Sequence, residues 1–322
     1  MEQSKKRFNR RTGALILKNS IVLLVLILVC ALASFSWFTK GTKAFADGVN
    51  VKSEAPHGLE IAIVEHGATA PTSGEYVKGE ILLNKDNCDF IDELQFTEIT
   101  GSGLQDEFYK PKLNQANGVA TPDLTADWDK AQENIHFLSF DLYMRSKSPF
   151  KVNLDSTSSV KPVAKKLVWT NDADAEGNNP SIGNFSRDCI VGATRVSILD
   201  SSSTLKYLWI PAPNIKYDHA NNNCSINLTS GATYIHNYYI VTTDSKELTN
   251  NVAQDIDVIA NDDCDYTLGE DKQLVDVTKK GESDTYYVDH VTVNLWIDGE
   301  DEEARLALTG GNFVLELDLS LA

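Results

Sequence analysis

Along residues 138–145, Leu138, Phe140, Leu142 and Met144 alternate with Ser139, Asp141, Tyr143 and Arg145. One face of that segment is wholly apolar and the other mixed, the period-two signature of a half-buried strand. The pattern recurs at 312–319, where Phe313, Leu315, Leu317 and Leu319 share a face, and at Val291, Val293, Leu295 and Ile297. Further strands are expected at 59–64, 76–83, 93–99, 150–154, 164–169, 190–199, 206–210 and 234–241. About ten strands separated by turn signals, with no long amphipathic helix, predict an all-β domain: an antiparallel β-sandwich of jelly-roll type. Short helices are expected only at 127–132, after the Pro122-Asp123 turn, and at 302–308, where acids in the first turn suit the helix dipole. Long polar loops at 101–130, 170–188 and 243–286 are where a binding site would be built.

The N-terminus breaks this pattern. Residues 21–38 carry no charge, and Lys5, Lys6, Arg7, Arg10, Arg11 and Lys18 precede them with Glu2 as the one acid. At about 1.5 Å rise per residue the run reaches roughly 27 Å, close to the ~30 Å hydrocarbon core, and cations on its N-terminal flank hold that end in the cytoplasm. The chain therefore divides into a basic cytoplasmic leader (1–20), a hydrophobic signal-anchor or signal peptide (21–38), a polar spacer (39–57) and an extracellular domain (58–322). Ala31-Leu32-Ala33 and Ala44-Phe45-Ala46 both have the small-x-small form that a signal peptidase reads, and a cut after Ala33 or Ala46 would secrete the domain. Against cleavage, apolar character continues through Phe35, Trp37 and Phe38 and stops at Lys40, as at the interfacial belt of a spanning helix. The expected location is thus the cell membrane, with the C-terminal domain outside.

Charge and cysteine content narrow the partners. The chain carries a formal −17, with 29 basic and 46 acidic residues; without the leader's six cations and one acid, 23 face 45, or about −22. Such a surface repels nucleic acid and anionic lipid headgroups. Cys30 lies in the apolar run, and Val29 before it is not the small residue of a lipoprotein signal. Cys88, Cys189, Cys224 and Cys264 form an even set in an oxidising direction, which allows two disulfides in any of three connectivities, or four buried thiols. Their spacing fits no zinc or haem motif.

Motifs for chemistry are sparse. Asp172, Asp174 and Glu176, followed by Gly177 and Asn178, set oxygen ligands at alternate positions like the first half of a calcium loop; Gly183 stands where the bidentate glutamate belongs. Calcium is the one cofactor these residues suggest, and a flexible polar hairpin explains them as well. Asp298, Glu300, Asp301, Glu302 and Glu303 could chelate a cation or simply complement a helix dipole. His57, His66, His136, His219, His236 and His290 show no HxH or HExxH spacing, and no GxSxG elbow, P-loop or dinucleotide fingerprint occurs. Trp128, Trp169, Trp209, Trp296 and Tyr234, Tyr238 and Tyr239 could line a sugar platform, though core packing accounts for most such rings. The expected protein is non-catalytic.

The basic leader, the hydrophobic run ending in small residues, and Ser36-Trp37-Phe38-Thr39 resemble the export segment of the TasA and camelysin group, Gram-positive surface proteins matured by a SipW-type signal peptidase. Residues 140–146, 195–198 with 208–211, and 293–302 resemble a broad class of Clostridia-type surface proteins of unassigned role. The resemblance implies a jelly-roll ectodomain and a place in an extracellular fibre or biofilm matrix, hence self-association or cell-surface partners. Rival readings are a glycan-binding jelly-roll module and a type IV pilin-like protein. Arg10-Arg11-Thr12-Gly13 would suit a prepilin leader, but Lys18 stands where that family carries glutamate. The leader's charge generates a direct expectation: protease added to intact cells digests the domain while a cytoplasmic control survives. Survival of both until lysis would reverse the assigned orientation.

Overall fold

The computed structural model describes residues 45–53, 58–83, 88–91, 94–105, 107–116, 119–162, 187–213, 215–218, 223–226, 236–250, 257–260, 266–278, 280, 285–301, 304 and 311–322. The chain separates into two units, 1–42 and 43–322, and every described residue belongs to the second. The basic leader, the apolar run with Cys30, the predicted strand at 164–169 and the predicted helix at 302–308 (save Ala304) lie outside the described residues. Among those described, no helix is long and apolar enough to cross a membrane.

The fold is all-β. Its strands begin with β1 (Phe45–Ser53), β2 (Glu60–Glu65), β3 (Glu80–Leu83), β4 (Glu98–Ile99), β5 (Tyr109–Lys110), β6 (Leu113–Ala116), β7 (Val119–Pro122) and β8 (Asp129–Lys130). There follow β9 (Leu138–Ser146), β10 (Phe150–Leu154), β11 (Ser159–Pro162), β12 (Thr194–Asp200), β13 (Leu205–Trp209), β14 (Ile215–Asp218) and β15 (Asn223–Ile226). The last are β16 (Tyr238–Val241), β17 (Lys246–Thr249), β18 (Asp257–Ile259), β19 (Lys272–Val277), β20 (Tyr287–Asp298) and β21 (Asn312–Leu321). Two short 3₁₀ turns, Asp89–Ile91 and Arg187–Ala193, interrupt them.

Two large sheets carry the fold. One runs β19-β10-β21-β1-β3, with β11 also pairing β21; the other runs β18-β13-β12-β20-β9-β2, with β4 pairing β20. Both are mixed, where an antiparallel arrangement was expected: β1 lies parallel to β21, β18 to β13 and β4 to β20. Parallel neighbours cannot be joined by a hairpin, so these pairings link segments far apart in sequence. One hydrophobic core draws Val49, Phe140, Val293, Phe313, Leu315 and Leu317, among others, from both sheets.

The strongest periodicities translate directly. In β21, Phe313, Leu315, Leu317 and Leu319 are buried while the intervening residues are half-exposed. The segment 39–57, expected to be a spacer, instead contains β1, which pairs along its length with β21 and at Val49 to Lys52 with β3. Val49 and Val51 enter the core, so the domain begins before residue 58. A signal-peptidase cut after Ala46 would remove the two β1 residues that pair Asn312 and Phe313. The helix expected at 127–132 is likewise replaced by β8, held extended by pairing with β5 and by the Ala131 amide donating to the Phe108 carbonyl. The predicted strand at 76–83 is split: Val77 bridges Ile61 of β2 in one sheet, and β3 pairs β1 in the other.

The half-buried reading of β9 also changes, because both of its faces are covered. Leu138, Phe140, Leu142 and Met144 enter the main core, yet Ser139, Asp141 and Arg145 on the opposite face are buried too. A second apolar cluster of Ile99, Phe108, Phe137, Leu208 and Trp296 forms over that outer face. Phe140→Ala leaves a cavity and is expected to cost about 3 to 5 kcal/mol. Ser139→Ala strips a buried partner from Asn294 and is expected to cost about 1 to 3 kcal/mol, well above a surface change. Denaturant unfolding of the two variants measures both; a Ser139→Ala protein as stable as the parent would place that face in water.

Candidate functional site

On β20 the core face takes Val291, Val293, Leu295 and Ile297, which leaves Thr292, Asn294, Trp296 and Asp298 on the outer face. All four are buried; Thr292, Asn294 and Asp298 find partners inside the protein, whereas Trp296 Nε1 has none. Thr292 Oγ1 donates to Asp141 Oδ1 at 2.7 Å, and the Gly67 amide donates to Asp141 Oδ2. Ser139 Oγ donates to Asn294 Oδ1 (2.7 Å), Asn294 Nδ2 to Ser197 Oγ (3.2 Å), and Ser197 Oγ to the Gly103 carbonyl (2.7 Å). This directional chain runs across β9, β20 and β12 into the covering layer. Gly103 suits its end because φ is +94° and a Cβ there would come within 3.1 Å of the Ser197 Cβ.

At the C-terminal end of β20 the groups become ionisable. Asp298 is buried with one oxygen, Oδ2, 3.1 Å from His236 Nδ1 and 3.4 Å from Arg195 Nε. Its other oxygen accepts the Glu300 amide at 3.2 Å. Arg195 Nη1 donates to the carbonyls of Gly192 and Thr194 (2.9 and 2.8 Å), and Nη2 bonds the Asp301 carboxylate. His236 Nε2 lies 2.8 Å from the Gly101 carbonyl. Gly101 cannot carry a side chain here: a Cβ would stand 2.4 Å from Phe108 Cδ1.

The imidazole therefore faces an acceptor at each ring nitrogen. It packs against Tyr238 (5.5 Å between centroids) and Trp296 (5.9 Å) and is closed off from solvent. An imidazole so engaged has no free nitrogen to activate a nucleophile, and the arrangement joins segments instead of presenting a base. Burial, then the neighbouring charges of Asp298 and Glu98, push the Glu300 carboxyl up to about 7. Burial and then Glu300 raise the Tyr239 phenol, while burial and then Glu107 raise that of Tyr238. The Tyr239 amide donates to Thr100 Oγ1, which ties β16 to the same strip.

Of the residues singled out in the sequence, Asp298, Glu300 and Asp301 meet here, in a turn following a strand, with Asp298 still in β20. The side chains of Asp172, Asp174 and Glu176 lie outside the described residues. His66 pairs with Glu133 (3.0 Å), His136 Nδ1 accepts the Gln132 amide, and His290 stacks on Tyr143, so the described histidines are dispersed. Burial would raise Glu133, but hydrogen bonds from His66 and Gln105 hold it below its ordinary range. No cluster of three or more His, Cys, Asp or Glu side chains that could hold a metal occurs among the described residues. Cys88 packs against the core; the side chains of Cys189, Cys224 and Cys264 lie outside the described residues. Arg195 and His236 were not expected as site residues, and only Arg195 carried a signal, as a cation within an apolar strand pattern.

No family model matches the chain, and neither a curated protein nor a solved structure matches it. The charge cluster yields its own expectation. Arg195→Met leaves Asp298 and Asp301 buried without their guanidinium and is expected to cost about 3 to 5 kcal/mol. Arg195→Lys recovers only part of this, because an ammonium cannot span two carboxylates and two carbonyls. Chemical denaturation reads both, and a loss below ~1 kcal/mol for Arg195→Met would show that the pair contributes nothing net.

Proposed function

We propose that the chain is a non-catalytic, membrane-anchored or exported cell-surface protein whose β domain is a structural subunit of an extracellular fibre or matrix. Two large sheets drawn around one core support reading that domain as a jelly-roll-like sandwich. The observation that carries the functional reading is the position of β1. The first described strand fills a slot between β21, the last, and β3. Its partners are backbone groups plus the pockets that receive Val49 and Val51, and an equivalent strand from a second copy would satisfy them equally well. A slot closed by a strand that an equivalent strand from another copy can replace is an element from which head-to-tail assembly is built.

The rings argue in the same direction. A glycan-binding module needs exposed aromatic faces, whereas Trp128, Trp209, Trp296 and Tyr238 are buried. Tyr239 is half-buried with its ring edge-on to Trp128 at 5.1 Å. Trp169 and Tyr234 lie outside the described residues.

Removing residues 1–53 is expected to leave a domain that unfolds more readily and takes up a synthetic peptide of residues 44–54 with a rise in melting temperature. The parent chain is expected to grow in apparent size with concentration in light scattering. A truncated domain as stable as the parent, indifferent to the peptide, together with a parent that stays monomeric to millimolar concentration, would sink the fibre reading.

A further inference from the structure

The apolar face of β1 cannot by itself tell one strand from another. Val49 and Val51 fill the core side, and two copies of one residue type make that side degenerate: a strand displaced by two residues would still bring a valine to a valine pocket. Asn50 and Lys52 belong to the opposite face, where the slot is charged. Lys52 pairs with Asp318 of β21 on one side and Glu80 of β3 on the other, and its Nζ donates to Glu316 Oε1 at 3.3 Å. Lys161 of β11 lies 3.8 Å from the other oxygen of Glu316. Burial would lower the Lys52 ammonium, but the hydrogen bond to Glu316 and the charges of Glu316, Asp318 and Glu80 raise it, so acids from both walls of the slot are felt at Nζ. Asn50 Nδ2 also bonds Glu80.

On the strand-exchange reading above, we propose that Lys52 is the residue by which the slot selects its strand: the partner is a second copy of this chain, admitted because its Lys52 settles among Glu80, Glu316 and Asp318. A half-exposed ion pair adds little to affinity. What it adds is discrimination, since a strand of the same apolar pattern with an acid at this position sets like charge against both walls of the slot. That matters in a chain where 46 acids outnumber 29 bases, because a strand taken from such a sequence more often brings a carboxylate than a cation. The same contacts form whether β1 comes from its own chain or from a neighbour. Lys52 therefore leaves the balance of closure and exchange alone and decides which strands can compete for the slot.

Charge reversal in the full-length protein in detergent tests this. Lys52→Glu and Glu316→Lys each mismatch a chain's strand with its own slot, whereas each strand matches the other variant's slot. Light scattering is expected to detect assembly of their equimolar mixture at a concentration on the order of 10-fold lower than for either alone. The double variant Lys52→Glu, Glu316→Lys restores the pair within one chain and is expected to melt and assemble as the parent does, which separates a lost selector from a lost fold. Parent and double variant, given different tags and mixed as monomers, are expected to sort, with mixed contacts about 10-fold rarer in pull-down than like contacts. Sorting is expected to fade in about 1 M salt. Single variants whose mixture assembles no better than its parts, or a parent and double variant that co-assemble at random, overturn the selector and leave the fibre reading standing. A parent that stays monomeric to millimolar concentration overturns both.

Discussion

The structure depends on one constraint: over most of their length β9, β20 and β12 are covered on both faces, so the polar side chains buried there cannot rely on water. Apolar contact alone, such as the edge of Trp296 against Phe108, would hold the covering segments but let them slide. Hydrogen bonds are directional, and the relay from Ser139 through Asn294 and Ser197 to the Gly103 carbonyl is complete in one register only. Gly103 therefore has a fixed seat on the sheet. A shift of one residue along β20 would place Val293 under the relay and Asn294 in the core.

A second constraint acts where the first and last described strands pair. β21 is an inner strand of its sheet, flanked by β10 and β11 on one side and β1 on the other. Its buried face holds Phe313, Leu315, Leu317 and Leu319 in the main core, which cannot close before β21 has been made. β1, made early, waits for a parallel partner more than 250 residues away. Pairings of such sequence separation form slowly because loop closure must precede the contacts that offset it. An early strand with a late partner is open meanwhile to capture by another chain, and this is the physical link between the topology and the proposed assembly.

How much of this the sequence disclosed follows from what side-chain periodicity can carry. The long alternating strands β9, β20 and β21 were legible because one apolar face per strand is a local signal. β1 was not, since Gly48 and short polar residues mask Val49 and Val51, and a strand supported by distant partners needs little pattern of its own. The parallel pairings were invisible for the same reason: register between remote segments leaves no trace in either one alone. The outer face of β9 was misread because Ser139 and Asp141 look the same whether water or Asn294 and Thr292 satisfies them. The acids at 298–301 stood out as a group, but their partners Arg195 and His236 lie about 100 and 60 residues away.

The acid cluster is the least economical part of the fold, and that bears on its meaning. Replacing a buried ion pair with apolar side chains of similar volume is often neutral or stabilising, so Asp298, Arg195 and Asp301 are poorly explained by stability alone. Their geometry achieves what an apolar plug could not. Arg195 grips the backbone at Gly192 and Thr194 together with two carboxylates, so it fixes the end of a 3₁₀ turn, β12 and the turn after β20 relative to one another. Glu300 adds no hydrogen bond through its buried Oε1, and burial, then Asp298 and Glu98, push its carboxyl up. The relay that starts at Ser139 has no ionisable member, so it holds the outer layer at any pH the fold survives.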